Sequence, residues 1–373
     1  MPTTTQGLVA HELNAEPTLE SIQLDDIQPN EALVQIEATG ICHTDLSCID
    51  GTLPAEFPNV LGHEGAGTIL EAGSELKHLS PGDKVLLSFN HCSKCSECTS
   101  SHPAYCHAFG QLNFGGRRAD GTQPFSLSNG GKKLYGSFFG QSSFAKVAVI
   151  AGASMVKVPS STRLELFAPL GCGIQTGAGS VLNTLDVQSG QSLAVFGAGS
   201  VGLAAIMAGK LRGANPVIAI DLSSERLALA QKLGATHTIL ASDKNVDVVK
   251  EIQGICPPTG VSRAVDCTGA AKVVERMIQA LGSRGKAATV GAPSPGTQVP
   301  VDIFNHLMLG RQYVGCCEGD SVPEKLISYL IEQHAAGKFP VDELITFYDG
   351  NEYAKAFKDV KQGKTIKAVL KWQ

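Results

Sequence analysis

The chain has 373 residues, of which 43% are hydrophobic and 17% charged, so it is long enough for two domains with separate buried cores. Thirty basic and 35 acidic side chains give a net charge of −5, which argues against a nucleic-acid partner. The first twenty residues lack a secretory signal, and no apolar stretch approaches the about 20 residues that cross a bilayer. We therefore expect a cytoplasmic protein with no membrane partner.

Taken in chain order, the predicted elements change character near residue 175. Short apolar alternations bounded by Gly, Pro or Asn predict a β-rich first domain. Strands then alternate with helices, a pattern typical of a parallel sheet covered by helices. The predicted strands of this part are 192–196, 217–220, 237–240, 264–267 and 287–290. A helix at 323–336 and a strand at 367–372 are expected to return to the first domain. The predicted boundaries are 1–174, 175–315 and 316–373.

A nucleotide-binding pattern lies at the start of the second part. Residues 197–202 read Gly-Ala-Gly-Ser-Val-Gly, follow a predicted strand and open a predicted helix. Gly197, Gly199 and Gly202 would allow a tight turn and let a pyrophosphate approach the helix N-terminus. Asp221 ends the next strand, where it would accept hydrogen bonds from ribose hydroxyls and repel a 2′-phosphate. The pattern predicts NAD rather than NADP; the alternative is a glycine-rich turn with a helix-capping Asp.

Four cysteines lie close together in one loop: Cys92, Cys95, Cys98 and Cys106. Four thiolates satisfy a tetrahedral zinc ion and leave no position for water, which predicts a structural zinc site. Two disulfides or a nucleic-acid zinc ribbon are the alternatives. The first fits a cytosolic chain poorly, and the second fits a negative net charge poorly.

Three further residues have the chemistry of zinc ligands but are far apart in the chain. They are Cys42 in Gly-Ile-Cys-His-Thr-Asp, His63 in Gly-His-Glu-Gly and Cys172 in Gly-Cys-Gly. Two thiolates and one imidazole would leave the fourth zinc position open, as in catalytic sites. Spacing alone does not join them, because a buried Cys or His is usually just part of a core.

All these motifs together resemble the zinc-dependent alcohol dehydrogenases of the medium-chain dehydrogenase/reductase family. Gly-Ile-Cys-His-Thr-Asp, Gly-His-Glu-Gly-Ala-Gly, the four-cysteine loop, Gly-Cys-Gly and Gly-Ala-Gly-Ser-Val-Gly occur here in that family's order. Residues 138–145, Phe-Phe-Gly-Gln-Ser-Ser-Phe-Ala, look most like the aryl- and benzyl-alcohol dehydrogenase branch. The resemblance implies a GroES-like, partly open β-barrel catalytic domain and a Rossmann domain, with the active site in the cleft.

The resemblance also implies an activity and its cofactors. The enzyme would interconvert an alcohol, aromatic or allylic, and its carbonyl product by hydride transfer to NAD, with two zinc ions per chain. The implied ligands of the catalytic zinc are Cys42, His63 and Cys172. Thr44 would take the alcohol proton, Asp45 would orient His63, and Glu64 would lie behind the ligands. The implied cofactor-binding residues are His43, Thr176, Gly197, Gly199, Val201, Gly202, Asp221, Arg226, Val290 and Lys367. A homodimer is expected, with a homotetramer as the alternative.

Two positions depart from the family pattern. Ser47 stands where many relatives carry a histidine at the outer end of the proton relay, so the exit of the proton to solvent differs here. Ser88 stands where some relatives place a bulky aromatic, which predicts room for a larger substrate. Other activities compatible with the pattern are glutathione-dependent formaldehyde oxidation, reduction of an activated double bond, and non-catalytic binding of zinc and nucleotide.

Overall fold

A computed structural model describes residues 3–128 and 133–372, and the chain divides into two compact units. The first unit contains the chain up to Cys172, together with Val322–Ile331 and the chain from Asp342 onward. The second contains Gly173–Ser321 and Glu332–Val341.

Eighteen strands occur in the described residues, numbered in chain order. They are β1 (Thr3–Ala10), β2 (Thr18–Leu24), β3 (Glu31–Gly40), β4 (Asn59–Val60), β5 (Gly65–Ala72), β6 (Lys84–Leu87), β7 (Phe125–Leu127), β8 (Lys133–Leu134), β9 (Val147–Ala151), β10 (Met155–Val158), β11 (Leu193–Phe196), β12 (Val217–Asp221), β13 (His237–Leu240), β14 (Val261–Asp266), β15 (Leu281–Thr289), β16 (Gln312–Gly315), β17 (Ile345–Asp349) and β18 (Lys367–Lys371).

Twelve α-helices connect these strands within the same ranges. They are α1 (His43–Ile49), α2 (Ser96–Thr99), α3 (Phe109–Phe114), α4 (Leu164–Phe167), α5 (Gly173–Gly179), α6 (Ser200–Leu211), α7 (Ser224–Leu233), α8 (Val248–Ile255), α9 (Ala271–Gln279), α10 (Ile303–Leu309), α11 (Pro323–Ala335) and α12 (Tyr353–Lys361). Among the described helices, none is both long and apolar enough to span a membrane.

The first unit is built from two sheets. One has the strand order β4-β1-β2-β7-β8, and the other has the order β10-β6-β5-β3-β18-β17 with β9 also paired to β3. In β3, Val34, Ile36 and Ala38 are buried while Gln35 and Glu37 are exposed, so one face of this strand packs on the core. The C-terminal strand β18 pairs antiparallel with β3, which brings the end of the chain beside the first 40 residues.

The second unit is a parallel sheet of six strands in the order β13-β12-β11-β14-β15-β16. This is the strand order of the Rossmann fold, and it confirms the predicted doubly wound sheet. All four residues of β11 are buried, and the eight residues from Gly202 to Gly209 in α6 are buried too, as expected when helices cover the sheet. The strand order reverses between β11 and β14, where the glycine-rich segment follows β11.

Candidate active site

Asp45 forms hydrogen bonds with both Cys42 and His63. It lies in the first turn of α1, where its Oδ2 accepts a hydrogen bond from the backbone N–H of Cys42 at 2.9 Å. Its Oδ1 lies 3.0 Å from Nδ1 of His63 and also accepts the N–H of Gly62 at 3.0 Å. Asp45 and His63 are fully buried. When Nδ1 donates to this carboxylate, Nε2 is left as the imidazole's ligand atom.

Cys42, His63 and Cys172 converge to a group that fits a metal ion. Their ligand atoms all lie within 4.8 Å of one another, and all three side chains are buried. The Nε2 atom of His63 is buried without a hydrogen-bond partner, which is costly unless a metal satisfies it. Hydrogen bonding with Cys172 and the nearby charges of His63 and Lys367 hold the pKa of Cys42 well below its ordinary value. The thiolate that binds zinc is thereby favoured.

Behind these residues, Glu64 and Lys367 form a buried ion pair. The Nζ of Lys367, in β18, donates to Oε1 and Oε2 of Glu64 at 2.8 and 2.9 Å and to the carbonyl of Ile41 at 3.3 Å. Burial raises the pKa of the Glu64 carboxyl, and the ammonium of Lys367 opposes that rise. All three N–H donors of Lys367 are engaged, so the predicted contact with a pyrophosphate would have to compete with Glu64.

Helix α1 carries three further predicted residues, His43, Thr44 and Ser47. His43 is exposed, and Thr44 is half-buried with its hydroxyl oxygen 3.7 Å from the sulfur of Cys42. Ser47 lies one turn further along the helix and is only 4% exposed. Ser47 therefore does not reach the surface, where the histidine of the family pattern would hand a proton to solvent.

Aromatic rings surround His63, which the sequence analysis did not predict. Phe139 stacks on the imidazole with ring centroids 4.5 Å apart, and Phe138 meets it edge-on at 5.4 Å. Phe109 and Phe114 contact Phe139 in turn at 6.3 and 5.2 Å. The only sequence signal is the pair of adjacent phenylalanines in a segment otherwise rich in Gly and Ser.

Ser88 does not have the role that the sequence suggests. Its side chain is fully buried, and its hydroxyl donates to the carbonyl of Gly171 at 2.8 Å. A side chain without accessible surface does not line an open pocket, so the expected extra room for substrate is absent at this position.

The four-cysteine loop closes around α2. Its four sulfur atoms lie within 4.8 Å of one another, with 3.5 Å between Cys95 and Cys98 and 3.9 Å between Cys92 and Cys98. Ligands of one tetrahedral zinc, each about 2.3 Å from the metal, would be about 3.8 Å apart, whereas a disulfide needs about 2.05 Å. Backbone hydrogen bonds from Cys98 and His107 lower the pKa of Cys95 to about 6. The group therefore fits zinc, and none of the eleven cysteines forms a disulfide.

The glycine-rich loop of the second unit has the backbone that the motif requires. Gly197 has φ +93°, and a Cβ on Gly202 would lie 1.8 Å from the carbonyl oxygen of Gly197. A Cβ on Gly199 would meet no atom within 4 Å, so the space beside it is open to a phosphate. The carboxylate of Asp221 accepts N–H bonds from Ala198 at 2.6 Å and Ser223 at 2.8 Å, which places it against this loop.

The remaining predicted cofactor residues lie in the second unit. Val201 is half-buried in the first turn of α6, Arg226 is half-buried in α7, and Val290 directly follows β15. Thr176, in α5, is buried, and its hydroxyl donates to the carboxylate of Glu318 at 3.4 Å. No sequence motif pointed to Glu318.

Comparison with known proteins identifies the family. Residues 28–160 match the alcohol dehydrogenase GroES-like domain, and residues 200–332 match the zinc-binding dehydrogenase domain. The geraniol dehydrogenase of Castellaniella defragrans is 39% identical over 368 residues, which cover 98% of this chain and 97% of that protein. The chain belongs to the zinc-dependent alcohol dehydrogenase family. The predicted family, GroES-like and Rossmann domains and enzyme class are thus confirmed.

Solved structures of similar proteins agree with this alcohol dehydrogenase over its whole length. The benzyl alcohol dehydrogenase of Acinetobacter calcoaceticus is 39% identical with a TM-score of 0.95, and the match covers 100% of both chains. The alcohol dehydrogenase zinc-binding domain protein of Burkholderia ambifaria is 43% identical with a TM-score of 0.96, covering 100% of this chain and 99% of that one.

Proposed function

We propose that this alcohol dehydrogenase oxidises benzylic and allylic alcohols to their aldehydes with NAD. The observation that carries the proposal is the similarity to a geraniol dehydrogenase and a benzyl alcohol dehydrogenase, each 39% identical over nearly all of this chain. Phe138 and Phe139 are buried, whereas Phe109 and Phe114, which pack on Phe139, are half-buried and offer rings to a flat, conjugated substrate. The relatives named geraniol dehydrogenase and benzyl alcohol dehydrogenase support the same class, since both alcohols carry the hydroxyl one carbon from a π bond.

The experiment compares kcat/KM for benzyl alcohol, geraniol and ethanol by the absorbance of NADH. One to two kcal/mol of extra apolar contact in the transition state gives benzyl alcohol and geraniol an advantage of about tenfold or more. Equal or better efficiency with ethanol would contradict the substrate class and leave the dehydrogenase assignment intact. A preference for S-(hydroxymethyl)glutathione would replace the substrate proposed here.

In this proposal the side chains of the first unit hold and orient the reacting groups. The residues that bind the catalytic zinc are Cys42, His63 and Cys172. When bound, the zinc stabilises negative charge on the substrate oxygen and the nicotinamide accepts the hydride. The Thr44 hydroxyl would accept the proton of the substrate hydroxyl while releasing its own proton towards solvent. Asp45 holds His63 in the tautomer that leaves Nε2 available to the metal.

NAD is proposed as the cofactor in preference to NADP. The carboxylate of Asp221 ends β12 and lies against the glycine-rich loop through its bond with Ala198. A negative charge at this place attracts ribose hydroxyls and repels a 2′-phosphate. The other residues that we propose to bind the cofactor are His43, Thr176, Val201, Arg226 and Val290.

A homodimer is proposed, formed through the second unit. Strand β16 is the edge of the six-stranded sheet and has unpaired backbone groups on its outer side. The neighbouring helix α10 exposes a row of large apolar side chains, Ile303, Phe304, Leu307 and Met308, with 64–80% of each accessible. Covering this row with the same surface of a second copy would bury it around a two-fold axis.

Domain roles and location complete the proposal. We assign residues 1–174 and 316–373 to the catalytic domain and 175–315 to the NAD-binding domain. The parallel sheet of the second unit and the position of both cysteine-containing groups in the first unit support this division. Eleven cysteines without a disulfide fit a reducing compartment, which supports a cytoplasmic location.

A further inference from the structure

The side-chain amide of Gln141 joins two segments of the metal site. Its Nε2 donates to the carbonyl of His63 at 2.9 Å and to the carbonyl of Ser88 at 3.0 Å. Its Oε1 accepts the N–H of Gly65 at 3.1 Å, and the residue is fully buried. The amide thus bridges the segment that carries His63 into β5 and the segment that leaves β6.

The connection continues from Ser88 to the third zinc ligand. The hydroxyl of Ser88 donates to the carbonyl of Gly171, the residue before Cys172. A Cβ on Gly171 would lie 1.8 Å from the carbonyl oxygen of Leu87, so this segment packs directly against the end of β6. Gln141 and Ser88 together therefore relate the backbone of His63 to that of Cys172.

The loop that presents Gln141 is itself held in an uncommon conformation. Four residues around Gln141 have left-handed backbones, with φ from +48° to +68°: Ser137, Phe139, Gly140 and Ser142. Buried hydrogen bonds retain this shape, from Phe138 N–H to the Ser142 hydroxyl at 2.9 Å and from the Ser154 hydroxyl to the Phe139 carbonyl at 3.0 Å. At the three that are not glycine, this conformation is strained; such residues persist where the surrounding structure fixes them and commonly mark a functional site.

We propose that Gln141 is a positioning residue for the catalytic zinc. Its amide holds the backbones of His63 and Cys172 at a fixed separation, so the ligand atoms are arranged before the metal binds. The inference rests on the proposed assignment of Cys42, His63 and Cys172 as zinc ligands. An amide is required because two carbonyl oxygens need donors while one N–H needs an acceptor, and neither a carboxylate nor an alkyl chain supplies both.

A matched amide lies in the four-cysteine lobe. Asn113 is also fully buried, accepts the N–H of Asn90 at 2.8 Å, and donates to the carbonyls of Asn90 and Phe109 at 2.9 and 2.8 Å. It has three backbone partners, as Gln141 does, but two of them belong to Asn90, two residues before Cys92, and the third belongs to Phe109, which reaches His63 only through Phe139. Replacing each amide in turn separates an effect on one metal site from a general loss of stability.

The test measures the release of zinc from purified holoenzyme to 4-(2-pyridylazo)resorcinol at neutral pH. Wild-type enzyme should release two zinc ions per chain in two kinetic phases. The phase that is missing in Cys172→Ser belongs to the catalytic ion. Gln141→Met should speed that phase by about tenfold or more and leave the other unchanged, as loss of partners behind metal ligands does elsewhere. Asn113→Leu should leave the catalytic phase at the wild-type rate. The visible spectrum of the cobalt-substituted Gln141→Met enzyme should also change.

The proposal would be overturned if Gln141→Met released both zinc ions at the wild-type rates and its cobalt-substituted form kept the wild-type spectrum. Equal acceleration of the catalytic phase by Gln141→Met and Asn113→Leu would also overturn it, because the effect would then be general instability. Gln141→Asn keeps an amide in case the Met variant does not fold, and it should give a smaller acceleration of the same phase. A wild-type enzyme with a single zinc would instead contradict the assignment of the ligands.

Discussion

At the scale of single residues, the candidate metal site depends on buried charges that are paired. Asp45 is shared among Cys42, Gly62 and His63, and Glu64 is held by Lys367. A buried carboxylate is tolerated only while its partners remain, because removing one partner leaves an uncompensated charge in a medium of low polarity. The effect of a substitution here is thus set by the partner that is left behind.

Replacing Lys367 with Met should be more damaging than removing the whole ion pair. Lys367→Met leaves the carboxylate of Glu64 buried without its cation, which should lower the free energy of unfolding by about 3–5 kcal/mol. The double variant Glu64→Gln with Lys367→Met should recover part of that loss. Urea denaturation measures both values. A double variant at least as unstable as Lys367→Met would contradict the pairing argument.

Asp221→Ser should change cofactor preference. Without the carboxylate, the ribose hydroxyls lose an acceptor and a 2′-phosphate is no longer repelled, so the ratio of kcat/KM for NADP to that for NAD should rise by about tenfold. Initial rates with each cofactor measure the ratio. Asp243→Ser removes an exposed carboxylate beyond β13 and serves as the control. Wild-type enzyme that already prefers NADP would show that Asp221 does not have the proposed role.

At the scale of elements, two short segments hold the aromatic rings beside His63 and the four cysteines. Residues 137–144 place Phe138 and Phe139 on His63, and α3 adds Phe109 and Phe114. The helix α2 and the turns around it gather the four cysteines. Neither segment has a large core of its own, so metal ligands and aromatic contacts maintain their shape.

Phe114→Leu should erode the preference for aromatic alcohols. The substitution removes a half-buried ring that packs on Phe139, so kcat/KM for benzyl alcohol should fall by about tenfold relative to ethanol. Phe144→Leu is the control, since Phe144 is a phenylalanine of the same unit that contacts Phe357 instead. An unchanged ratio for Phe114→Leu, or the same change for Phe144→Leu, would count against a role of these rings in binding the substrate.

Cys95→Ser and Cys172→Ser should fail in different ways. Cys95→Ser leaves three thiolates in the lobe, so it should lose one zinc and lower Tm, because the metal organises that segment. Cys172→Ser should abolish turnover and lose the other zinc while the protein stays folded. Metal analysis, thermal unfolding and activity distinguish the two variants. Loss of folding in both, or of turnover in neither, would contradict the division into structural and catalytic sites.

At the scale of the whole molecule, association should follow the apolar row on α10. Four large apolar side chains on a seven-residue helix beside an edge strand are costly to leave in water. The proposed dimer would cover both the apolar side chains of α10 and the edge strand β16. The same argument makes no demand on the first unit, which contains both groups of candidate zinc ligands.

Phe304→Asp combined with Leu307→Asp should convert the dimer to monomers. Burying two carboxylates at an isologous interface is unfavourable in both copies, and sedimentation equilibrium measures the mass. Leu13→Asp alters an exposed leucine of the first unit, which is 52% accessible, and should leave the mass unchanged. An unchanged mass for the double variant would exclude this surface, and a wild-type tetramer would revise the number of subunits.

The sequence by itself determined the features whose residues are close together along the chain. The four cysteines lie within fifteen residues, and the glycine-rich turn with its following helix lies within sixteen, so local geometry is enough to predict both. The central strands β11 and β12 of the second unit are buried on both faces and read as apolar runs, which predicts the parallel sheet. The edge strand β16 has a mixed sequence, Gln-Tyr-Val-Gly, and was not predicted because an exposed edge imposes no periodicity.

Tertiary structure decided the contacts between residues far apart in the chain. Cys42, His63 and Cys172 meet through the packing of three segments, and their spacing alone did not join them without the family resemblance. Lys367 meets Glu64 across 303 positions, and Gln141 meets His63 across 78, only because β18 pairs with β3 and the 137–144 loop closes on β5. The room for substrate predicted beside Ser88 is absent for the same reason, because a small side chain widens a pocket only where no backbone fills the space. Such meetings depend on the register and packing of whole sheets, and no local pattern encodes them.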